Sequence, residues 1–360
     1  MRIAYDITPE RLSGGGVGTY SRELRRALCR HEGVVVLELA HGPTGSASRL
    51  GRTIAGVRRE AAWFPAALAR TARTELADLI HVPASLPAKG HGLPLVLTVH
   101  DAIPWRHPEW FTRANALQQR LLMGRAIRQA TRIITDSNAS RDDLINLVGG
   151  DPDRIDVVYP GISPAFSPDL RDRDWLCDRF GITGPVVLSV STPEPRKNLR
   201  GAVRAFAIVQ RQEPTARLVL VGGDGWRNGE IEQEIAAAGP AVVRTGRLTF
   251  DDLTRLYASA DCFLFPSLME GFGFPPLEAM ASGLPVVSSN RPCLPEIVGD
   301  AAETADPEDI AGLAEAVVRI IGDPDHASAL RARGLTHVAE FTWERCATGT
   351  VASYHRALSA

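Results

Sequence analysis

Tyr159-Pro160-Gly161-Ile162-Ser163-Pro164-Ala165-Phe166-Ser167-Pro168 carries three prolines and a glycine in ten residues. Proline has a fixed φ and no amide hydrogen, so neither a helix nor a central strand runs through this segment. Before it, β-branched runs predict strands at residues 2–7, 34–39, 79–82, 95–100, 132–136 and 155–159. Between them lie helical patterns such as 17–30, 114–129 and 140–147. After it the alternation restarts. Strands are predicted at 186–190, 217–221, 242–245, 262–266 and 285–288, and helices at 199–211, 231–238, 253–259, 276–282, 309–322 and 327–340. Strand–helix alternation implies a parallel sheet with helices on both faces. The expected fold class is therefore α/β, with two doubly wound domains in tandem at 1–162 and 163–342 and a terminal segment at 343–360. Such sheets bind ligands at the carboxyl ends of their strands. Two of them facing each other would share one central cleft.

The bulk properties narrow the function classes. A chain of 360 residues fits two domains of about 150–200 residues each. A net charge of −2 gives no global electrostatic reason to bind nucleic acid, and none is expected as a partner. The sequence holds no run of about 18 apolar residues that could span a bilayer. It opens on Met1-Arg2-Ile3-Ala4-Tyr5-Asp6, without a charged-then-apolar leader. Cys29, Cys177, Cys262, Cys293 and Cys346 are scattered, with no Cys-x-x-Cys, and read as reduced thiols. A cytoplasmic location is expected. Only Lys89 and Lys197 among the 40 basic residues are lysines, so a lysine here is more informative than usual.

Four segments at predicted strand ends carry chemistry. Ser13-Gly14-Gly15-Gly16-Val17-Gly18-Thr19-Tyr20 leads into a helix, where glycines admit a ligand to the backbone and free amides suit phosphate. Two other readings stand beside it. One is a ligand-free flexible loop. The other is a dinucleotide fingerprint, disfavoured by the residues 8–12 that precede the loop and by Thr19, but kept open by Glu38. In Val99-His100-Asp101-Ala102-Ile103-Pro104, successive strand side chains point to opposite faces, so His100 and Asp101 need not bond each other. His100 reads either as an acid–base group or as a hydrogen-bonded structural residue. Ser191-Thr192-Pro193-Glu194-Pro195-Arg196-Lys197-Asn198-Leu199 places a planar guanidinium beside a compact ammonium, a set suited to a diphosphate. Cations at a helix start oppose the macrodipole, and an anion nearby would remove that conflict. Finally, Glu270 and Glu278 stand eight apart across Gly271-Phe272-Gly273-Phe274-Pro275-Pro276, a loop entering a helix. Carboxylates accept from the vicinal hydroxyls of sugars and riboses. The plainer reading of Glu278 is charge complementation of the helix N-terminus, and that of Glu270 is a loop carboxylate with no task.

At these residues the chain resembles the retaining glycosyltransferases of family 4, with the GT-B fold of two Rossmann-like domains. The likeness spans nearly the whole chain, through VHDAIP, TDSNASRDDL, the YPGI linker, EPRKNL, LVLVGG, TGRL, EGFGFPPLEAMASGLPVV and FTWERCA. Its wording is that of bacterial mannosyl- and rhamnosyltransferases of polysaccharide biosynthesis, which favours a mannose-type hexose and GDP-mannose. The resemblance implies an N-terminal acceptor domain, a C-terminal nucleotide-sugar domain and a last helix at 343–360 that returns to the first. It also implies roles. Arg196 and Lys197 hold the donor diphosphate, Glu270 the donor sugar hydroxyls and Glu278 the ribose hydroxyls. His100 contacts the donor sugar near the anomeric centre, and Gly15 and Gly16 approach the phosphates. Backbone groups of Gly271, Phe272, Gly273 and Phe274 cap sugar and phosphate, and Ser191, Arg247 and Leu248 complete the donor site. Ser191 stands where relatives often carry glycine. No cofactor and no metal are expected, the nucleotide sugar being a co-substrate.

No convincing protein nucleophile presents itself, so front-face substitution with the departing phosphate assisting the acceptor is the mechanism implied. The Asp-x-Asp runs at 151–153 and 323–325 read as turns. The acceptor is expected to be a glycan, a lipid-linked sugar or a small molecule. The basic stretch 49–73 with Trp63-Phe64, and the segment Trp105-Arg106-His107-Pro108-Glu109-Trp110-Phe111, read in two ways. They dock peripherally on the anionic inner face of a membrane, or they are solvated arginines with tryptophans in the core. The alternatives to a transferase are a nucleotide-sugar epimerase, a non-catalytic nucleotide-sugar binding protein and, more distantly, an NAD-dependent oxidoreductase.

Overall fold

The computed structural model describes residues 1–12, 15–41, 63–64, 66–86, 88–223 and 229–360. Ser13 and Gly14 of the glycine loop, and Arg49, Arg52, Arg58, Arg59 and Glu60 of the basic stretch, lie outside them. The chain divides into two units, one of Met1–Gly161 with Thr342–Ala360, the other of Ile162–Phe341.

The first unit is built on six parallel strands: β1 (Arg2–Asp6), β2 (Val35–Leu39), β3 (Leu79–Val82), β4 (Leu95–Thr98), β5 (Arg132–Thr135) and β6 (Ile155–Val157). They are ordered β2-β1-β3-β4-β5-β6. The second is built on β7 (Val186–Val190), β8 (Arg217–Val221), β9 (Val242–Gly246), β10 (Cys262–Phe265), β11 (Val286–Ser289) and β12 (Glu303–Ala305), ordered β12-β11-β10-β7-β8-β9, again all parallel. β3, β4, β10 and β11 are buried along their whole length, as parallel strands covered on both faces must be. The winding direction reverses between β1 and β3 and between β7 and β10. A reversal opens a crevice at the strand ends, where doubly wound sheets take their ligands.

The differences from the sequence-based expectations are local. Predicted strands 95–100 and 132–136 stop early, so His100 and Asp136 stand past the ends of β4 and β5 rather than within them. β12 is a three-residue edge strand with too short a run to be read. Five short helices, Thr8–Leu12, Leu68–Thr74, Ile103–Arg106, Arg173–Phe180 and Leu294–Val298, were not expected. The helix predicted at 140–147 is Asn138–Asp143 running into a π-turn that ends on left-handed Gly149. Asp151 accepts from the Asp153 amide in a tight turn, whereas Asp323 caps the helix Pro324–Val338, a correction to reading 323–325 as a simple turn.

The last helix, Trp343–Leu358, packs in the first unit against the helix Gly16–Arg30 and against β4 and β5. Thr342 caps it by accepting from the Arg345 amide. Its buried face presents Cys346, Thr350, Ser353 and Tyr354, and the Tyr354 hydroxyl meets His81 Nδ1 at 2.6 Å. Ser353 donates to Asp156 at 2.7 Å and Arg356 pairs with the same carboxylate at 3.0 Å. Gly161 lies where the chain leaves this unit, and a Cβ there would stand 2.2 Å from the Trp343 amide nitrogen. Backbone cannot yield as a flexible side chain does. Gly161→Ala is therefore expected to lose about 1–3 kcal/mol of stability, the usual cost of overpacking, seen as a lower urea midpoint without a change of slope.

Candidate active site

The loops after β7 and β10 meet at the reversal of the second sheet. Past Val190, the Ser191 amide donates to Val221 O at 2.9 Å, and the chain makes a 3-10 turn over Pro195–Lys197. Asn198 follows in the left-handed region (φ 48°) and caps the helix Leu199–Gln212 by accepting from the Gly201 amide. Arg196 and Lys197 thus precede this helix and are not part of it. The Leu268 amide donates to Arg196 O at 2.7 Å, tying the two loops together. In the second loop Gly273 adopts φ 99° before the helix Phe274–Ala281, which opens Phe274-Pro275-Pro276. Proline suits that first turn because its missing amide hydrogen has no helical partner there.

One ion cluster dominates. Glu270 Oε2 lies 2.6 Å from Arg196 Nη1, and Oε1 lies 2.6 Å from Lys197 Nζ. Arg196 Nε donates to Glu194 at 2.9 Å. Lys197 also sits 5.4 Å from the centre of the Phe265 ring. Glu270 is only 7% exposed. Burial opposes its charge, but Arg196 and Lys197 outweigh burial and hold its pKa down at about 2. Burial dominates in Lys197, whose pKa lies below the ordinary lysine value. The anion that the two cations called for is therefore Glu270. The Cys293 thiol shares its one hydrogen between the carbonyls of Glu270 (3.3 Å) and Phe272 (3.1 Å), holding the backbone of that loop.

Glu278 lies in the second turn of its helix, and the first turn holds no acidic residue, so terminal charge complementation does not account for it. Burial pushes its pKa up to about 7, and the hydrogen bond from Tyr257 Oη at 3.0 Å offsets only part of that. Ser191 Oγ is buried with no hydrogen-bond partner among the described residues. Arg247 and Leu248 follow β9 at the far edge. Arg247 is exposed, and its Nε would lie 2.5 Å from a Cβ on Gly223. A cavity of about 430 Å³ lined by Arg173, Gly184, Asp261 and Arg331 lies by the amino end of β7 and contains none of these residues.

In the first unit, exposed Gly15 caps the helix Gly16–Arg30 through its backbone. Glu38, which kept the dinucleotide reading open, pairs with Arg25 at 2.6 Å, and Arg25 also binds Glu10. His100 Nδ1 lies 2.5 Å from Asp136 Oδ2, while Asp101 turns away to accept from the Ile103 amide. The structure thus brings Arg196, Lys197 and Glu270 into contact and sets Glu278 on the following helix. Gly15, Gly16 and His100 belong to the other unit. Glu194, Cys293, Tyr257 and Asp136 were missed. Only Glu194, between two prolines beside Arg196, carried a local signal.

The topology of both sheets, the returning helix and the ion cluster at a reversal define a two-domain GT-B enzyme. Residues 184–323 match the family model described as "Glycosyl transferases group 1", and residues 14–166 match "Glycosyltransferase Family 4". The O-antigen chain mannosyltransferase B of Escherichia coli is 30% identical, over 98% of this chain and 99% of that protein. The chain belongs to glycosyltransferase family 4. Two solved structures share its fold. Sucrose-phosphate synthase from Thermosynechococcus elongatus is 20% identical with a TM-score of 0.77, over 100% of this chain and 99% of that one. Anabaena Alr3699/HepE in complex with UDP and glucose is 22% identical with a TM-score of 0.73, over 99% of each.

The protonation of Glu278 is coupled to folding. Its folded pKa of about 7 lies above the carboxyl's ordinary value. Between the two, the unfolded chain has released the proton and the folded chain retains it, so the group costs stability as pH rises. Glu278→Gln should therefore raise the melting temperature relative to wild type at pH 8 and leave it near wild type at pH 4. An equal effect at both pH values would contradict the buried, reluctantly ionised carboxyl.

Proposed function

We propose that this glycosyltransferase moves a hexose, mannose in the first instance, from a nucleoside diphosphate sugar such as GDP-mannose with retention of configuration and without a metal ion. The acceptor is a glycan, a lipid-linked sugar or a small molecule. The observation that carries this reading is the Arg196–Glu270–Lys197 cluster at the strand reversal. The leaving group is a diphosphate whose charge grows as the glycosidic bond breaks, so fixed cations there act chiefly in the transition state. A planar guanidinium and an ammonium do at that point what a divalent ion would do. Glu270 binds the donor sugar and Glu278 the ribose. Gly271, Phe272, Gly273, Phe274, Ser191, Arg247 and Leu248 complete the donor site, and His100, Gly15 and Gly16 are further residues assigned to the donor. Retention without a protein nucleophile is supported by Glu270 itself, since both its oxygens are engaged by cations. The mannose assignment is supported by the mannosyltransferase relative.

The test is transfer from a panel of GDP-, UDP- and dTDP-sugars, with the anomer of the product determined. GDP-mannose should be the best donor, and activity should persist in EDTA. Lys197→Ala should lower kcat by about 10²–10³, as for loss of one stabilising donor. Glu278→Gln should mainly raise the donor KM, since the ribose does not react. Near-normal turnover in Lys197→Ala would remove the phosphate assignment, and loss of activity in EDTA restored by Mn²⁺ would remove metal independence.

We also propose peripheral docking on an anionic membrane at the cytoplasmic face, through a surface other than the one the sequence suggests. Trp63 and Trp105 pack on the core, and Trp110 stacks on His107 at 4.0 Å. The helix Arg113–Gln129 instead has no acidic residue and exposes Leu117 (59%) and Leu121 (63%) in one stripe with Arg113, Arg125 and Arg128. Apolar side chains flanked by arginines suit anionic headgroups. The protein should sediment with phosphatidylglycerol vesicles at low salt and not with phosphatidylcholine vesicles. Leu117→Ser/Leu121→Ser should abolish this while sparing transfer to a soluble acceptor. Sedimentation of the double variant equal to wild type would exclude this helix as the contact.

A further inference from the structure

His100 is flanked by an acceptor at each ring nitrogen. Nδ1 lies 2.5 Å from Asp136 Oδ2, and Nε2 lies 3.3 Å from the Pro83 carbonyl oxygen. A carbonyl can only accept, so Nε2 must carry hydrogen; a lone pair there would face a lone pair. Asp136 is 2% exposed, and its other oxygen, Oδ1, is buried with no hydrogen-bond partner among the described residues. Its charge is therefore met through His100. Burial raises the Asp136 carboxyl and the neighbouring imidazole offsets only part of that. Asp136 in turn holds the imidazole above its ordinary value against burial. Because imidazole is intrinsically the stronger base, with ordinary values of about 6.5 against about 3.9 for the carboxyl, the shared proton rests on Nδ1. The Tyr20 ring meets the imidazole edge to face at 4.8 Å and leaves the ring little freedom to turn.

We propose that Asp136 is a positioning residue that, together with the Pro83 carbonyl, holds His100 with hydrogen on both ring nitrogens, so that His100 meets the donor as a cationic hydrogen-bond donor and not as a general base. The Nε2–H group meets the Pro83 carbonyl across a long contact and extends its hydrogen bond to an electron-rich oxygen of the donor, a sugar hydroxyl or a phosphate oxygen, the hydrogen staying on Nε2. An Asp–His pair without the Pro83 carbonyl would leave Nε2 bare, poised to take a proton from an attacking hydroxyl. The carbonyl separates these two behaviours of one pair of side chains.

Several groups within the first unit bear on the charge of His100. Asp136 after β5 and Asp101 beside it in the chain favour the cation. His81 on β3 is held neutral by burial, its pKa near 3, and adds no competing charge. Tyr20 on the helix Gly16–Arg30 and Cys346 on the last helix stay protonated because burial raises both. For His100 itself burial opposes the charge, but Asp136 outweighs it, and the pKa lies above the ordinary value.

The inference rests on the proposed role of His100 at the donor, and its test has one arm free of that role. Long-range ¹H–¹⁵N imidazole spectra of the full chain, with His100 assigned by its absence in His100→Gln, should show both nitrogens protonated at pH 7. In Asp136→Asn one nitrogen should lose its proton at that pH, because the amide bonds Nδ1 without stabilising charge. A neutral His100 in the wild type, or the same spectrum in Asp136→Asn, overturns the proposal whether or not transfer is detected. In the kinetic arm, a thermal melt first establishes that Asp136→Asn is folded. Its kcat should fall by about 10–100-fold, less than the 10²–10³ expected for deleting a stabilising donor outright. The limb on which activity declines with rising pH should move to lower pH. His100→Gln, which keeps an N–H donor, should retain more activity than His100→Ala. Activity that instead rises with pH through the His100 titration makes the histidine a base and overturns the proposal. Spectra as expected with no effect of His100→Ala on transfer would leave the ionised pair standing and remove the donor-site reading of His100.

Discussion

Two cations side by side below the surface require an anion, and most of the second unit is arranged around how that is met. Arg196 and Lys197 follow β7, and Glu270 follows β10, some seventy residues later in the chain. The strand order makes β7 and β10 neighbours at the reversal, so the two loops leave the sheet side by side. Removing one member of such a cluster typically costs about 3–5 kcal/mol, because a buried charge is left alone. The surrounding bonds serve the same geometry. Leu268 and Arg196 join the loops through their backbones, Glu194 holds the guanidinium from the other side, and Cys293 pins the carbonyls on either side of Gly271.

This shows which parts of the site were legible in the sequence. The sheet strands are short β-branched runs, and Val186–Val190 and Arg217–Val221 agree with their expected limits because burial on both faces leaves a mostly apolar run, broken only by Ser189 and opened by Arg217. Lys197 stood out against an arginine-rich background, and its conflict with the helix dipole pointed to an anion. That anion is Glu270, and the conflict is also smaller than expected because left-handed Asn198 starts the helix after the cations. Pairings that cross the sheet have no such signature. Asp136 lies 36 residues from His100 and Tyr257 lies 21 from Glu278, and no local period connects them. β12, with three residues, is too short for any pattern to rise above chance.

The first unit uses buried polar groups differently. Tyr354 on the last helix, His81 on β3, Thr98 on β4 and Tyr20 on the helix Gly16–Arg30 form one hydrogen-bonded chain, with contacts of 2.6, 2.9 and 3.3 Å. Its ionisable members are neutral, since burial lowers His81 and raises both tyrosines. A neutral chain can be fully satisfied by hydrogen bonds alone, and such a network specifies one packing of the elements it joins. It therefore fixes the last helix against the sheet without adding charge beside His100. Tyr20 ends the chain and also packs edge-on against His100, so the placement of the last helix and the orientation of that imidazole are set by the same residues.

On the proposed reading, the resting cluster has a consequence for catalysis. Arg196, Lys197, Glu194 and Glu270 sum to no net charge, so an arriving diphosphate does not meet a bare pair of cations. It must share them with carboxylates already in place, and its ground-state attraction is correspondingly reduced. As the bond to the sugar breaks, charge accumulates on the leaving oxygen, and the same cations respond to that increment in full. Interactions that strengthen only in the transition state raise turnover, whereas equal strengthening of both states would not. Glu270 thus serves the reaction in two ways. It makes two partly buried cations tolerable in the free enzyme, and it moderates their hold on the substrate until the charge they stabilise has formed.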